Sequence, residues 1–159
     1  MMYVIQTRPH EEKYLLRNLR NAGISAYLPE EQMLIRRRGK WHTENRYIFS
    51  GYVFIDAEYS TELYHKIKWL DGFLHFLGTP SSLHQNEEEQ IRWLCNNGKP
   101  VTVSHYIDGK CGITFIDGIL SKTKFTILKM YPRQKRATVS ISINGNNFKV
   151  FLPIEKSEL

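Results

Sequence analysis

The chain has 159 residues, 42% hydrophobic and 13% aromatic, which is enough for one ordinary domain or two small ones with real cores. Its net charge of +6 is uneven, because residues 1–100 carry 13 basic and 12 acidic side chains, whereas residues 101–159 carry 9 and 4. The basic excess in the last third predicts a polyanionic partner, most simply nucleic acid, with a solvated basic surface as the alternative. No apolar run approaches the roughly 20 residues that span a bilayer, and the start lacks the basic segment of a signal peptide, so a cytoplasmic location without membrane contact is expected.

The first hundred residues alternate strand-like and helix-like patterns. The first predicted elements are a strand from Tyr3 to Thr7, a helix from Glu11 ending at Gly23, and a strand over Ser25 to Ile35 interrupted by Pro29. A polar hairpin loop over Arg36 to Asn45 follows, and then a strand over Arg46 to Ile55 with Gly51 inside it. The last predicted elements are a helix over Thr61 to Leu70, a strand over Phe73 to Leu77, and a helix over Glu87 to Asn96 capped by Asn86. This order is typical of a ferredoxin-like α+β unit, in which helices cover one sheet face and the other is free for a partner.

The remaining residues predict strands alone. Residues 96–100 (Asn-Asn-Gly-Lys-Pro) are typical of a linker. Residues 137–143 alternate strictly between apolar and polar side chains, Asn144 and Gly145 predict a tight turn, and Phe148 to Leu152 returns as a strand. Short strands over about 50 residues predict a small all-β barrel of the SH3-like type. The expected division is therefore an N-terminal domain over 1–96, a linker over 97–104 and a barrel over 105–159.

Motifs for catalysis or cofactor binding are absent from the sequence. It has no GxSxG, P-loop or HExxH motif, and its two cysteines and six histidines lack metal-ligand spacing. Neither an enzyme nor a metal or cofactor is expected.

An aromatic group, Phe49, Tyr52 and Phe54, is the first candidate interaction site. Tyr52 and Phe54 would point to the same face of a strand. They are either core residues or, if the sheet carries more aromatic side chains than one helix layer covers, a hydrophobic partner site. The pattern alone leaves both interpretations open.

Basic residues suited to phosphate contacts form three further groups. They are Arg17 and Arg20 on one helix face; Arg36, Arg37 and Arg38 in the hairpin; and Lys122, Lys124, Lys129, Arg133, Lys135 and Arg136 in or beside the C-terminal loops. Trp41 beside the second group and Tyr131 within the third could each stack on a base. For each group a solvated surface is the alternative.

Several segments, taken in order, resemble the NusG family of transcription elongation factors, which ride on RNA polymerase. YVIQT (3–7), the first helix, FSGYVFI (49–55), GFLHFLG (72–78) and the acidic third helix resemble the NusG N-terminal (NGN-type) domain. The segment from about Gly109 onward, which includes KRATVSISINGNNFKVFLP (135–153), resembles a KOW domain. The resemblance implies a transcription elongation or antitermination factor that acts as a monomer on RNA polymerase.

The same resemblance implies two polymerase contacts. Tyr52 and Phe54, with Phe49 beside them, would bind the clamp helices of the largest polymerase subunit. Tyr64, His65 and Lys66 would face the polymerase gate loop. By bridging the two sides of the RNA polymerase cleft, the protein would favour the closed, processive form of the polymerase.

The sequence departs in two ways from the pattern of housekeeping NusG proteins, and both departures indicate a specialised subgroup of the family. Residues 111–118 (CGITFIDG) lack the usual Gly-Pro-Phe turn at the start of the KOW segment, and the C-terminal module is strongly basic. Both features are similar to the LoaP type of antiterminator, in which the KOW domain helps bind an RNA hairpin. One alternative is an RfaH-type factor recruited by non-template DNA, whose C-terminal domain can rest as an α-hairpin, although the β-branched run 137–143 favours strand. The second alternative is a general KOW RNA-binding or ribosome-associated protein.

Overall fold

The computed structural model describes residues 1–78, 81–122 and 125–158. In these residues the strands are Met2–Thr7 (β1), Ser25–Tyr27 (β2), Glu30–Arg37 (β3), Lys40–Tyr47 (β4), Tyr52–Asp56 (β5), Phe73–Phe76 (β6), Ser104–Gly109 (β7), Gly112–Phe115 (β8), Thr126–Tyr131 (β9), Arg136–Ile143 (β10) and Asn146–Lys156 (β11). The helices are Glu12–Asn21 (α1), Thr61–Lys68 (α2), Gln85–Cys95 (α3) and Ile119–Lys122 (α4), with 3-10 turns at Asn96–Gly98 and Pro132–Gln134. The chain forms two compact units: unit 1 contains Met1–Leu28 and Phe49–Glu88, and unit 2 contains Pro29–Ile48 and the chain from Glu89 onward.

Unit 1 is built on a four-stranded antiparallel sheet with the strand order β2-β5-β1-β6. Together with α1 and α2, this order is the predicted ferredoxin-like arrangement. Leu15 and Leu19 of α1 and Ile67 of α2 are fully buried and pack with Ile5 and Ile55 of the sheet. The helices therefore cover one face of the sheet, as the apolar spacing predicts.

A close approach between α1 and the start of β6 favours glycine at position 72. Gly72 has a φ of +95°, and a Cβ atom added there would lie 3.1 Å from the Leu15 Cβ. The positive φ and the nearby Leu15 Cβ atom both make a larger residue unfavourable at this position.

Two predicted boundaries in this part of the chain are wrong. The strand expected over Arg46 to Ile55 is broken, since β4 ends at Tyr47 and β5 begins at Tyr52. Gly51 between them has a φ of +87°, which an extended strand does not adopt. Helix α3 begins before the expected cap Asn86, and the Glu87 carboxylate accepts a hydrogen bond (3.1 Å) from the backbone N–H of His84 instead.

The segment predicted as a hairpin loop over Arg36 to Asn45 is mostly strand. In unit 2, β3 and β4 pair in continuous register from Glu30 opposite Tyr47 to Arg37 opposite Lys40. Only Arg38 and Gly39 form the turn, with φ of +52° and +75°. A two-residue turn with positive φ matches the twist of a hairpin, so a polar sequence can continue the ladder to the tip.

The rest of unit 2 carries a five-stranded sheet with the order β8-β7-β11-β10-β9. Ala137, Val139 and Ile141 of β10 have no exposed surface, so the predicted alternation is confirmed. Asn144 and Gly145 have φ of +51° and +78°, which confirms the tight turn into β11. The short helix α4 departs from the expectation of strands alone.

The predicted α+β class is confirmed, and the half-barrel sheet of unit 2 fits the expected KOW-like β domain. The hairpin groups with this sheet, whereas the predicted domain boundaries were 1–96 and 105–159. Where the chain divides into independently folding parts stays a prediction. None of the described helices is both long and apolar enough to cross a membrane.

Candidate functional sites

Phe49, Tyr52 and Phe54 come together at the start of β5 but differ in burial. Phe54 is 0% exposed and Phe49 is 3% exposed, with ring centroids 5.3 Å apart in an edge-on arrangement. Val53 and Ile55 belong to the core beneath the helices, so Phe54 faces the opposite side of the sheet. Tyr52 is only half-buried. In this structure Phe54 therefore packs as a core residue, and Tyr52 is the member of the trio with accessible surface.

Tyr64, His65 and Lys66 of α2 divide between the core and solvent. The half-buried Tyr64 ring stacks on Phe76, with centroids 6.0 Å apart and planes at 25°. His65 and Lys66 are exposed. A partner can reach His65 and Lys66 directly, whereas Tyr64 mainly attaches the helix to the sheet.

Arg17 and Arg20 of α1 are both exposed, but Arg20 also has a structural contact. Its Nε and Nη2 atoms donate hydrogen bonds to the carbonyl oxygen of Ala26, at 3.3 and 3.0 Å. Arg20 therefore helps to hold β2 beside the end of α1.

Arg36, Arg37 and Arg38 are exposed at the tip of the β3–β4 hairpin, as expected for a phosphate-binding group. Arg37 forms an ion pair with Glu44, with Nη2 3.1 Å from Oε2. Exposed pairs of this kind contribute about 0–1 kcal/mol. A phosphate could therefore compete for Arg37 at little cost.

Trp41, expected to be able to stack on a base, contacts two cations. The guanidinium carbon of Arg36 lies 5.8 Å from the centroid of the Trp41 ring, and the Lys135 ammonium nitrogen lies 4.5 Å from it. These are cation–π distances. A base that stacked on this ring would compete with these two cations for its surface.

The C-terminal basic residues include an exposed group. Lys122, Lys129 and Arg133 are exposed, and Arg133 lies in the 3-10 turn Pro132–Gln134. The Lys129 ammonium nitrogen lies 5.1 Å from the ring centroid of Tyr131, so a cation and an aromatic ring are adjacent. Lys124 lies outside the described residues.

Lys135 and Arg136, in contrast, are engaged within unit 2. The Lys135 ammonium nitrogen lies 2.9 Å from Oε1 of Glu155. The Arg136 guanidinium carbon lies 5.8 Å from the Phe151 ring centroid, and its buried Nε has no hydrogen-bond partner among the described residues. Both side chains are half-buried, so they are poorer candidates for phosphate contacts than the exposed group.

The Lys135–Glu155 pair continues into a network of titratable groups. The Glu155 Oε2 lies 3.6 Å from Nε2 of His105, whose Nδ1 lies 2.9 Å from Oδ2 of Asp117. The backbone N–H of His105 donates to the Asp117 carboxylate at 2.8 Å, and this bond and the His105 side chain lower the pKa of Asp117. A charge reversal at Lys135 would disturb this network as well as any nucleic acid contact.

Glu31 of β3 is a buried acidic residue that the sequence reading missed. It is 5% exposed, and burial raises its pKa to about 8, although Arg46 and Arg136 oppose the shift. Its Oε2 has no hydrogen-bond partner in the described parts of the chain. The available signal was that Glu31 lies two positions before Met33, on the same face of the strand.

The ferredoxin-like sheet of unit 1 and the half-barrel sheet of unit 2 fit the two-part NGN–KOW arrangement that the resemblance predicts. A family model described as "Transcription termination factor nusG" matches residues 2–92. The chain therefore belongs to the NusG family of transcription termination and antitermination factors, and the resemblance seen in the sequence is confirmed at the family level.

Named relatives and a solved structure agree with this assignment. The chain is 22% identical to the transcription termination/antitermination protein NusG of Chlamydia trachomatis serovar D over 160 residues, covering 93% of this chain and 88% of that protein. It is 22% identical to the Helicobacter pylori protein of the same name, covering 82% and 76%. A structure of Thermotoga maritima NusG matches with a TM-score of 0.55 and 18% identity, over 96% of this chain and 92% of that one, which supports the fold.

Proposed function

We propose that the protein is a transcription elongation and antitermination factor that binds RNA polymerase through unit 1 and an RNA hairpin with help from unit 2. The observation that carries this proposal is the family match over residues 2–92, which include all four strands of the unit 1 sheet. The protein would act without chemistry or a cofactor of its own, by shifting polymerase from paused to moving states. It would act as a monomer in the cytoplasm, where its proposed partner works.

The proposed polymerase contact uses the exposed parts of unit 1. Tyr52 would contact the clamp helices directly, and the buried rings of Phe49 and Phe54 would support its position. His65 and Lys66, exposed on α2, would face the gate loop, with Tyr64 holding the helix in place.

The proposed RNA contact uses the exposed cations of unit 2. Lys122, Lys129 and Arg133 would neutralise phosphates, and Tyr131 beside Lys129 would stack on a base. This use of the KOW-like unit is what makes the LoaP type the favoured subgroup.

Recruitment by non-template DNA, as in the RfaH type, is the second candidate. It is favoured by the exposed Arg36, Arg37 and Arg38 at the hairpin tip. In its resting α-hairpin form that type would lack strands β10 and β11, which this structure contains.

Two binding measurements on the full chain test the proposal. A pull-down with a polymerase clamp-helix fragment should retain the protein, and loss of retention would favour a general RNA-binding or ribosome-associated role. In a mobility-shift assay, a hairpin from the transcript of the adjacent operon should bind more tightly than single-stranded DNA of equal length. The opposite order would favour the RfaH-type alternative.

A further inference from the structure

A pocket at the end of helix α3 shares only Lys122 with the contacts proposed above, and its other described lining residues have no role in them. Its volume is about 360 Å³, and it lies within unit 2. Its lining residues are Glu89, Arg92, Trp93, Asn96, Asn97 and Lys122. This volume is near the lower end of the range of small-molecule pockets, about 300–1,000 Å³, so it suits a ligand of one or a few rings.

Trp93 supplies the aromatic surface of this pocket. It is 46% exposed, so part of its ring surface is accessible to a ligand. Glu89 precedes Trp93 by four residues, so both side chains lie on the same face of α3. An indole ring with a carboxylate beside it can stack on a planar base and accept hydrogen bonds from the N–H groups at the edge of that base.

The turn after α3 places two amide side chains at the pocket. Asn96 and Asn97 have φ of +46° and +54°. The Asn96 Nδ2 donates to the carbonyl oxygen of Pro100 at 3.1 Å, and the Lys99 backbone N–H donates to the Asn96 carbonyl oxygen at 3.0 Å. These bonds hold the turn, and amide groups can both donate to and accept from the edge of a base.

The charges at the pocket suit a phosphate next to the base. Arg92 and Lys122 are exposed and positive, while Glu89 is the single acidic residue among the lining residues that the structure describes. The balance therefore favours an anionic ligand. Among biological anions, one that also carries a flat ring with donor groups is a nucleotide.

We propose that this pocket binds one unpaired guanine nucleotide, with the base stacked on Trp93. Guanine is favoured because its adjacent N1–H and N2 amino groups can both donate to the Glu89 carboxylate. Within an RNA, the nucleotide would be an unpaired base next to the hairpin. In that case the pocket adds a base contact to the proposed RNA binding, and the inference rests on that proposed function. A free guanine nucleotide has the same chemistry and is the other possible source.

The test follows Trp93 fluorescence in the full chain carrying Trp41→Phe and Trp69→Phe. The probes are guanosine monophosphate and a short uridine oligonucleotide containing one guanine. Quenching at lower concentration by the oligonucleotide assigns the site to RNA, and quenching at lower concentration by the mononucleotide assigns it to a free nucleotide. No quenching by either probe would overturn the proposal.

Affinities of variants for the labelled oligonucleotide identify the pocket residues. Trp93→Ala should weaken binding by about tenfold or more, and Trp93→Phe should retain most of it because a smaller ring still stacks. The matched control is Trp69→Ala, at a tryptophan of unit 1 that is 78% exposed, and it should bind like the wild type. Equal binding by Trp93→Ala and the wild type would overturn the proposal.

Two further comparisons test the choice of base and separate this inference from the proposed function. The uridine oligonucleotide without guanine should bind about tenfold more weakly, and Glu89→Gln should reduce that difference; no difference would overturn the guanine assignment. Hairpin binding without any response of Trp93 would overturn the pocket alone. Quenching by the mononucleotide without hairpin binding would overturn the RNA role alone.

Discussion

Tyr52 and Phe54 lie two positions apart on β5, and their burial separates an interaction role from a structural one. Tyr52→Ala should weaken binding to the clamp-helix fragment by about tenfold or more, because truncating an interface aromatic typically costs about 2 kcal/mol. Its circular dichroism should match that of the wild type. Phe54→Ala should instead lower the free energy of unfolding by about 3–5 kcal/mol, since Phe54 is 0% exposed.

The matched control is Tyr14→Ala, at a tyrosine of α1 that is 47% exposed. It should change neither binding nor stability appreciably. If Tyr52→Ala bound the fragment as tightly as the control, Tyr52 would not be part of the polymerase contact.

Glu31 should make the stability of unit 2 depend on pH. Its pKa is about 8 in the folded chain against an ordinary value of 4.5, so between these pH values the folded state holds a proton that the unfolded state has lost. The free energy of unfolding should therefore fall as pH rises through this range, by up to about 1.4 kcal/mol per pH unit, and level off above pH 8. Denaturant titrations across this range measure the slope.

Glu31→Gln is the test of this assignment, because the amide keeps the shape and does not titrate. The variant should lack the part of the slope that Glu31 supplies and should be more stable than the wild type above pH 8. Identical pH profiles for the two proteins would show that Glu31 ionises without cost.

At the scale of elements, the β3–β4 hairpin shows what a polarity pattern misses. Residues 36–45 are polar enough to be predicted as loop, yet backbone pairing extends to Arg37 opposite Lys40. Ladder hydrogen bonds do not require apolar side chains, so composition alone could not locate the end of β3. The apolar alternation of β10 predicted its strand correctly because that strand has a buried face.

The contact of α1 with the start of β6 can be tested at Gly72. Gly72→Ala should destabilise unit 1 by about 1–2 kcal/mol from its positive φ, and further because the new Cβ would meet Leu15 at 3.1 Å. Gly78→Ala is the control, since Gly78 also has a positive φ (+67°) but a Cβ there would have nothing within 4 Å. Equal losses of thermal stability would mean that the packing around Leu15 adapts freely.

At the scale of the whole molecule, limited proteolysis can test where the chain divides into domains. Residues 96–99 are exposed, whereas Val101 just beyond them is 2% exposed and is hydrogen-bonded to β3 through Gln32 and Glu30. A protease of broad specificity should therefore cut first within 96–99 and leave two fragments. A first cut inside 111–150, or a single protected core, would contradict the predicted boundary.

The salt dependence of RNA binding tests the exposed cations of unit 2. With Lys122, Lys129 and Arg133 as three phosphate contacts, the log–log slope should be about −2 for single-stranded RNA and steeper for a duplex. Lys129→Glu with Arg133→Glu should abolish binding and leave the clamp-helix contact intact. Lys149→Glu with Lys156→Glu makes the same charge change at exposed positions of β11 and should bind RNA nearly normally. Equal losses in both double variants would indicate a nonspecific charge effect.

The sequence by itself determined the class, the family resemblance and most elements of the fold, because apolar periodicity and turn residues act locally. The helices α1 and α2, the alternation in β10 and the turn at Asn144 and Gly145 needed no knowledge of distant contacts. Only the tertiary structure decided which candidate side chains are accessible. The fold buries Phe54, pairs Lys135 with Glu155, and buries Glu31 so that its pKa is raised to about 8. The physical reason is that burial and ion pairing depend on residues far apart in the chain, which no local pattern records.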